Sequence, residues 1–313
     1  MIIVKCPLRI SLVGGSTDLD AFLEENEYGS VVSFPCNLYT YITLHENNRN
    51  KYIINYSLKE ERDKISEIDN DISRIALDYF KAGPVTLTFN TDLYSDGSGM
   101  GSSSSYMIAV IKALSLYTDA KLSNFDICKL AVKLEKKFNP FTGHQDSYGC
   151  GMRDFKRIHF FKNKDPSFNY YNLKMFENFD MFLLYTNITR ESNPILKDIN
   201  VAKTKKQLKV VEDMEQAINK VDFKQMCALI NQGWENKKKT STKILMNQSL
   251  QELDARLQSS SIVRAFKLCG AGGGGYFFVM ADKNSNFLEE FNEYKKLLTK
   301  VEISKEGLTG KIF

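Results

Sequence analysis

Asp96-Gly97-Ser98-Gly99-Met100-Gly101-Ser102-Ser103-Ser104-Ser105 sits between two periodic patterns of opposite kind. Upstream, Val85, Leu87 and Phe89 alternate with Thr86, Thr88 and Asn90, the period of a half-buried strand. Downstream, Met107, Val110, Ile111 and Leu114 fall on one face of a helix. In such a strand–loop–helix, glycines let backbone N–H groups converge, serines add hydroxyl donors, and the helix N-terminus adds a partial positive charge. That is the chemistry of a phosphate cradle. A flexible Ser/Gly linker is the other reading, but the regular patterns abut the loop on both sides.

Three more glycine-bearing loops flank this one. Gly14-Gly15-Ser16-Thr17-Asp18 follows a strand pattern over residues 2–13 that Pro7 interrupts, and Asp18 is either a helix N-cap or a hydroxyl ligand. Gly143-His144-Gln145-Asp146-Ser147-Tyr148-Gly149 follows the helical spacing of Ile127, Leu130, Ala131, Leu134 and Phe138, which stops before Pro140. Asp146 could cap a following helix or orient a hydroxyl. Gly270-Ala271-Gly272-Gly273-Gly274-Gly275 formally fits Gly-x-Gly-x-x-Gly, but it opens the strand-like Tyr276-Phe277-Phe278-Val279-Met280. A dinucleotide fingerprint must open a helix, so that reading is rejected. A hairpin needs fewer glycines, so close contact with a ligand or with another domain is expected against this backbone. No Gly-x-x-x-x-Gly-Lys-Ser/Thr occurs.

The rest of the chain sets bounds. Its 313 residues carry 42 Lys+Arg against 38 Asp+Glu, and the net +4 is too small for a nucleic-acid footprint. Apolar runs such as Met181-Phe182-Leu183-Leu184-Tyr185 are too short to span a bilayer, and Met1-Ile2-Ile3-Val4-Lys5-Cys6-Pro7 does not read as a secretory leader. Six scattered cysteines fit reduced thiols in a cytoplasmic protein, and the three histidines lack zinc-ligand spacing. Residues 30–45 favour strands, 58–81 a charged helix, and 158–161, 180–187, 262–269 and 276–281 strands. From 195 to 258 the chain reads as solvated helices, with Lys205, Lys206 and Lys237–Lys239 on exposed faces. The composition shift near 165–175 divides the chain into domains 1–170 and 171–313.

Taken together and in order, the loops resemble the GHMP kinase superfamily, which includes galactokinase and the homoserine, mevalonate and phosphomevalonate kinases. Pro7-Leu8-Arg9-Ile10-Ser11-Leu12-Val13-Gly14-Gly15 looks like its first motif, Ser98–Ser104 like its phosphate loop (with Met100 where Leu is usual), and Cys269–Gly275 like its third. Gly14–Leu19, Gly143–Asp146 and Thr186-Asn187-Ile188-Thr189-Arg190 look most like D-glycero-D-manno-heptose 7-phosphate kinases. The resemblance implies an α+β fold of two domains. The N-terminal one would be ribosomal-protein-S5-domain-2-like, the C-terminal one ferredoxin-like, with the active site in the cleft between them.

It also implies transfer of the γ-phosphate of ATP, or of GTP, to the anomeric hydroxyl of a heptose 7-phosphate for surface-glycan synthesis. Asp146 matches the catalytic aspartate and Arg9 a basic position beside it. Gly97, Ser98, Gly99, Met100, Gly101, Ser102, Ser103 and Ser104 match the nucleotide loop, and Ser103 with Glu135 the Mg2+ ligands. A plain surface glutamate is the other reading of Glu135. Ser11, Gly15, Thr17, Asp18, His144, Gln145, Gly272 and Gly273 are expected at the sugar. Arg153, Arg157 and Arg190 are expected at its phosphate, although the bases in Met152-Arg153-Asp154-Phe155-Lys156-Arg157 could equally be exposed. The implied partners are a sugar phosphate and a nucleotide, with no nucleic acid and no membrane; a homodimer is left open. Asn37, Tyr39 and Tyr41 are candidates for a base pocket.

Overall fold

The computed structural model describes residues 1–94, 97–189 and 193–313. Its backbone is organised by one long strand, Tyr28–Glu46. The strand Ile2–Val13 pairs antiparallel along one side of it, with register shifts after Pro7 and Ser11. Pro7 has no N–H to give the ladder, which accounts for the first irregularity. On the other side, Lys156–Phe161 pairs with residues 28–33, and Val85–Thr91 with residues 40–46. Tyr52–Asn55, Lys59–Arg62, Lys164–Tyr170 and Thr309–Ile312 complete an eight-stranded sheet.

The segment 58–81 is not one charged helix. Lys59–Arg62 is an edge strand, and the helix runs only from Asp71 to Phe80. The buried Glu60 carboxylate accepts the backbone N–H groups of Asp69 (2.7 Å) and Asn70 (3.0 Å), and Asn70 then caps the helix by accepting from Ser73 N–H. These bonds fix the chain reversal that separates strand from helix. The helix Ser102–Tyr117 is also more deeply set than a one-faced pattern implies. Met107, Ile108, Val110, Ile111 and Leu114 are all fully buried, so both its sides face protein.

The second sheet is antiparallel, with spatial order Leu298–Val301, Phe179–Tyr185, Tyr276–Asp282, Val263–Leu268. In chain order these are its fourth, first, third and second strands. The helices Lys206–Asn219, Phe223–Lys238 and Gln248–Ser259 separate the first two. This is the ferredoxin-like arrangement.

A linear division at residue 170 needs correction. Thr309–Ile312 returns to pair with Ile2–Lys5, so the end of the chain belongs to the first sheet. The two halves also share a core. One buried cluster joins Leu8, Ile10 and Phe34 to Val211, Phe278 and Met280, with the Phe34 and Phe278 rings 5.9 Å apart. All six cysteines are free and buried. Among the described residues, no helix is long and apolar enough to cross a membrane.

Candidate active site

The glycine-bearing loops converge on one cleft of about 360 Å³. Gly97, Ser98, Gly99, Gly101, Ser102 and Ser103 form one wall, with φ of 64°, 76° and 77° at Gly97, Gly99 and Gly101. Gly101 occupies the N-cap position of the sixteen-residue helix Ser102–Tyr117, which aims the helix N-terminus at the cavity. Ser98 Oγ accepts Met100 N–H (3.2 Å) and lies 2.8 Å from Ser102 Oγ, so the hydroxyls hold the loop as well as line it.

The 270–275 loop owes its glycines to contact with protein backbone. A Cβ on Gly275 would lie 2.5 Å from Ser98 O, and one on Gly99 would lie 2.4 Å from Cys269 O. The two glycine loops therefore press on each other, and only Gly270 and Ala271 of the later one line the cleft. Gly272 and Gly273, expected at the sugar, instead pack against Ile244 and Ile195.

Arg9 and Asp146 form the centre of the site. Arg9 donates from Nε (3.0 Å) and Nη2 (2.6 Å) to Asp146 Oδ1, and from Nη1 to Gly99 O (2.7 Å). The arginine side chain is 4% exposed and the aspartate 28%. Asp146 lies in the first turn of the helix Gln145–Gly151, whose N-cap is His144. Asp18 is not a helix cap: Leu19 occupies that position. The buried Asp18 carboxylate accepts Gln145 N–H (2.9 Å) and Gln145 Nε2 (2.7 Å), while Ser11 Oγ donates to Gln145 Oε1 (2.8 Å). Burial, reinforced by the charge of Asp146, pushes the Asp18 carboxyl up.

Glu135 is 2% exposed, so the surface reading is wrong. Ser104 Oγ donates to its Oε2 at 2.5 Å, and the hydroxyls of Ser103 and Thr142 also serve it. Burial pushes its carboxyl up to about 7, against the pull of these hydroxyls. The group lines the cleft beside Ser103.

Several expected residues lie elsewhere. Met100 is buried in the core, although its carbonyl accepts Arg9 N–H (3.0 Å). Thr17 is buried and donates its hydroxyl to Gly14 O or Ser30 O. Ser104 is committed to Glu135. His144 stands outside the cleft, with Nε2 2.8 Å from Asp20 Oδ1. Arg157 is buried against Ser30 Oγ, the Tyr28 hydroxyl and Glu215, which use up its fork. Arg153 is exposed and pairs with Asp154. Neither arginine lines the cavity. Arg190, like Asp96, lies outside the described residues. Asn37, Tyr39 and Tyr41 do not line it either, and Tyr41 donates to Asp92 (3.1 Å).

Beside Arg9, two lysines that reach the cleft were missed from sequence. Lys237, assigned above to an exposed face, is buried, lines the cavity and donates to Gly270 O. Lys267 is buried there too and donates to Ser11 O (2.6 Å) and Leu12 O (3.2 Å); burial lowers its ammonium to about 8. Lys267 alternates with apolar Phe266 and Leu268 inside a strand, the one hint that a cation there is structural or functional.

Residues 70–153 match the family model for the GHMP kinases N terminal domain. The chain carries a GHMP kinase N-terminal domain. Over 97% of its length, and 97% of the relative's, it is 27% identical to the D-glycero-alpha-D-manno-heptose 7-phosphate kinase of Campylobacter jejuni. Its fold is that of the GHMP kinases, with mixed helices and sheets. A solved structure described as a D-glycero-D-manno-heptose 1-phosphate kinase from Bacteroides thetaiotaomicron superposes with a TM-score of 0.80, at 20% identity and full coverage of both chains. The galactose-bound galactokinase of Lactococcus lactis gives 0.76 at 15% identity, covering 98% of this chain and 95% of that one. Within this GHMP kinase fold, the family match spans the 97–105 loop, Glu135 and Asp146. These likenesses support a phosphotransferase of the sugar kinase kind.

Proposed function

We propose that this chain transfers the γ-phosphate of ATP to the anomeric O1 of D-glycero-D-manno-heptose 7-phosphate, giving the 1,7-bisphosphate. The observation that carries the reading is the Arg9–Asp146 pair, which opens onto the same cleft as the 97–103 loop. The full-length likeness to the Campylobacter enzyme favours this acceptor. Lining groups such as Ser11, Asp18, Asn139, Thr142 and Gln145 suit hydroxyl-rich sugar better than an isoprenoid precursor.

In this mechanism Asp146 accepts the O1 proton. The freed oxygen pair attacks the γ-phosphorus, the bond to the β,γ-bridging oxygen breaks, and ADP leaves. Arg9 holds the Asp146 carboxylate in place and keeps positive charge beside the developing oxyanion. Backbone N–H groups of residues 97–104 hold the nucleotide phosphates. Lys237 and Lys267 replace Arg153 and Arg157 as the cations for the acceptor's own phosphate.

The oxygen donors of Ser103 and Glu135 suit Mg2+, which takes few protein ligands and completes its shell with phosphates and water. Bound there, the ion would neutralise charge on the transferring phosphate. The setting proposed is the cytoplasm, in bacterial surface-glycan synthesis.

The test is nucleoside-diphosphate release with ATP and with GTP, against heptose 7-phosphate, the unphosphorylated heptose, galactose and mevalonate. Phosphorus NMR of the product should show a new anomeric phosphate. A higher kcat/KM on a plain sugar or on mevalonate would overturn the substrate assignment. Binding without turnover on any of them would make the protein a sensor.

A further inference from the structure

A second cavity, of about 610 Å³, lies behind the catalytic cleft. Its floor is apolar, built from buried Leu23, Val132, Tyr148 and Phe160, with the His144 and Phe160 rings 6.0 Å apart. Its rim is cationic. Lys129, Lys133 and Lys136 are spaced i, i+4, i+7 along and just beyond the helix Asn124–Glu135, Lys162 comes from the turn after Lys156–Phe161, and Lys164 opens the next strand, Lys164–Tyr170.

The carboxylates around the rim are fewer than the cations. Asp165 holds Lys129 (2.6 Å), Glu24 holds Lys162 (2.7 Å), and Asp20 serves both Lys136 (2.5 Å) and His144 (2.8 Å). Lys133 and Lys164 are exposed and have no carboxylate within 4.0 Å among the described residues. Five lysines around one rim thus share three carboxylates, and an anion seated there would meet the excess positive charge. An anion that also carries a flat apolar ring would satisfy floor and rim together.

The two cavities share their walls through adjacent residues. Glu135 lines the front and Lys136 the back; Gln145 and Asp146 line the front and His144 the back. We propose that the rear cavity binds a nucleoside diphosphate, apart from the catalytic cleft, and that occupancy reaches Asp146 through Lys136 and His144. A bound phosphate competes with Asp20 for both groups. Drawing them away from Asp20 releases the tie between the helix Asp20–Asn26 and the segments carrying Glu135 and Asp146.

The experiment is equilibrium dialysis of ADP and of inorganic pyrophosphate with the full chain, as wild type and as Lys133→Glu/Lys164→Glu. Both positions are exposed and outside the catalytic cleft, and a melting curve checks that the variant folds as wild type does. Two ADP equivalents per wild-type chain and one per variant chain support the proposal, with pyrophosphate about tenfold weaker than ADP at the variant-sensitive site, as loss of ring contacts predicts. One equivalent in both proteins overturns it. One in the wild type and none in the variant leaves this site standing and overturns nucleotide binding in the front cleft instead. Pyrophosphate as tight as ADP overturns the nucleoside assignment. Amide exchange at residues 144–146 should respond to saturating ADP more in wild type than in the variant, and an equal response overturns the link to Asp146.

Discussion

Arg9 grips Asp146 through a single carboxylate oxygen: Nε and Nη2 both donate to Oδ1, at 3.0 and 2.6 Å. Replacing that carboxylate by an amide keeps the shape and removes the base. Asp146→Asn should lower kcat by about 10² to 10⁴ and leave the KM for ATP within a few fold. Steady-state kinetics on both substrates check this, and near wild-type turnover would remove Asp146 from the reaction.

The same arginine rests on Gly149. A Cβ there would lie 3.1 Å from Arg9 Cγ and 3.2 Å from its Cβ. Within a helix, glycine to alanine ordinarily stabilises by about 0.5–1 kcal/mol. Gly149→Ala should instead lower turnover by about tenfold, from displacement of the guanidinium, while the melting temperature falls little. Unchanged kcat would mean that Arg9 tolerates the shift.

Glu135→Gln keeps the contacts with neighbouring hydroxyls but removes the anionic oxygen. The Mg2+ concentration for half-maximal rate should rise by about 10- to 100-fold, with activity partly restored at high Mg2+. A Mg2+ titration of the rate decides it. An unaltered midpoint would assign the ion to other residues.

Lys237→Met should raise the KM for a phosphorylated acceptor by about tenfold or more and leave that for the unphosphorylated sugar within about twofold. The ratio of the two is the readout. Equal rises would indicate loss of the Gly270 carbonyl contact, with no role in holding the phosphate.

Lys156 gives a pH prediction away from the chemistry. Its ammonium is fully buried, donates to Gly149 O (3.2 Å), Met152 O (2.8 Å) and Asp154 O (3.3 Å), and is pushed down to about 7 by burial. Below pH 7 the group is protonated folded and unfolded, and its burial penalty is fully felt. Between about 7 and the ordinary lysine value the unfolded chain binds more protons, so stability rises with pH. From pH 7 to 9 the wild type should gain up to about 2.7 kcal/mol relative to Lys156→Met, by urea unfolding at each pH. A pH-independent difference would mean that the three carbonyls keep the group charged.

The loops were legible in sequence because glycine, serine and their flanking periodicities are local signals. Arg9, Asp18, Glu135, Gln145 and Asp146 came from the family resemblance that the ordered loops carry, and they line the cleft with Gly97, Ser98, Gly99, Gly101, Ser102 and Ser103. What was illegible depends on contacts between distant segments. Arg157 reads as a free cation until Tyr28 and Glu215 are seen to occupy it. Lys237 reads as helix surface until the 270–271 backbone is laid against it, because lysines on a Lys-rich helix are ordinarily solvated. The strand at 59–62 was hidden by its own charge, since Glu60 faces inward to two amide donors that sequence cannot place.

The pairing of Thr309–Ile312 with Ile2–Lys5 has a consequence for synthesis. During translation, Ile2 emerges early and Ile312 only after the whole second sheet has been made. The edge of the first sheet therefore stays open while the ferredoxin-like half assembles, and closing so long a loop is slow compared with local pairing. Until then the nascent chain exposes an unpaired strand edge, the surface on which chains aggregate. Residues 309–312 are thus the ones that seal residues 2–5, some three hundred positions after them.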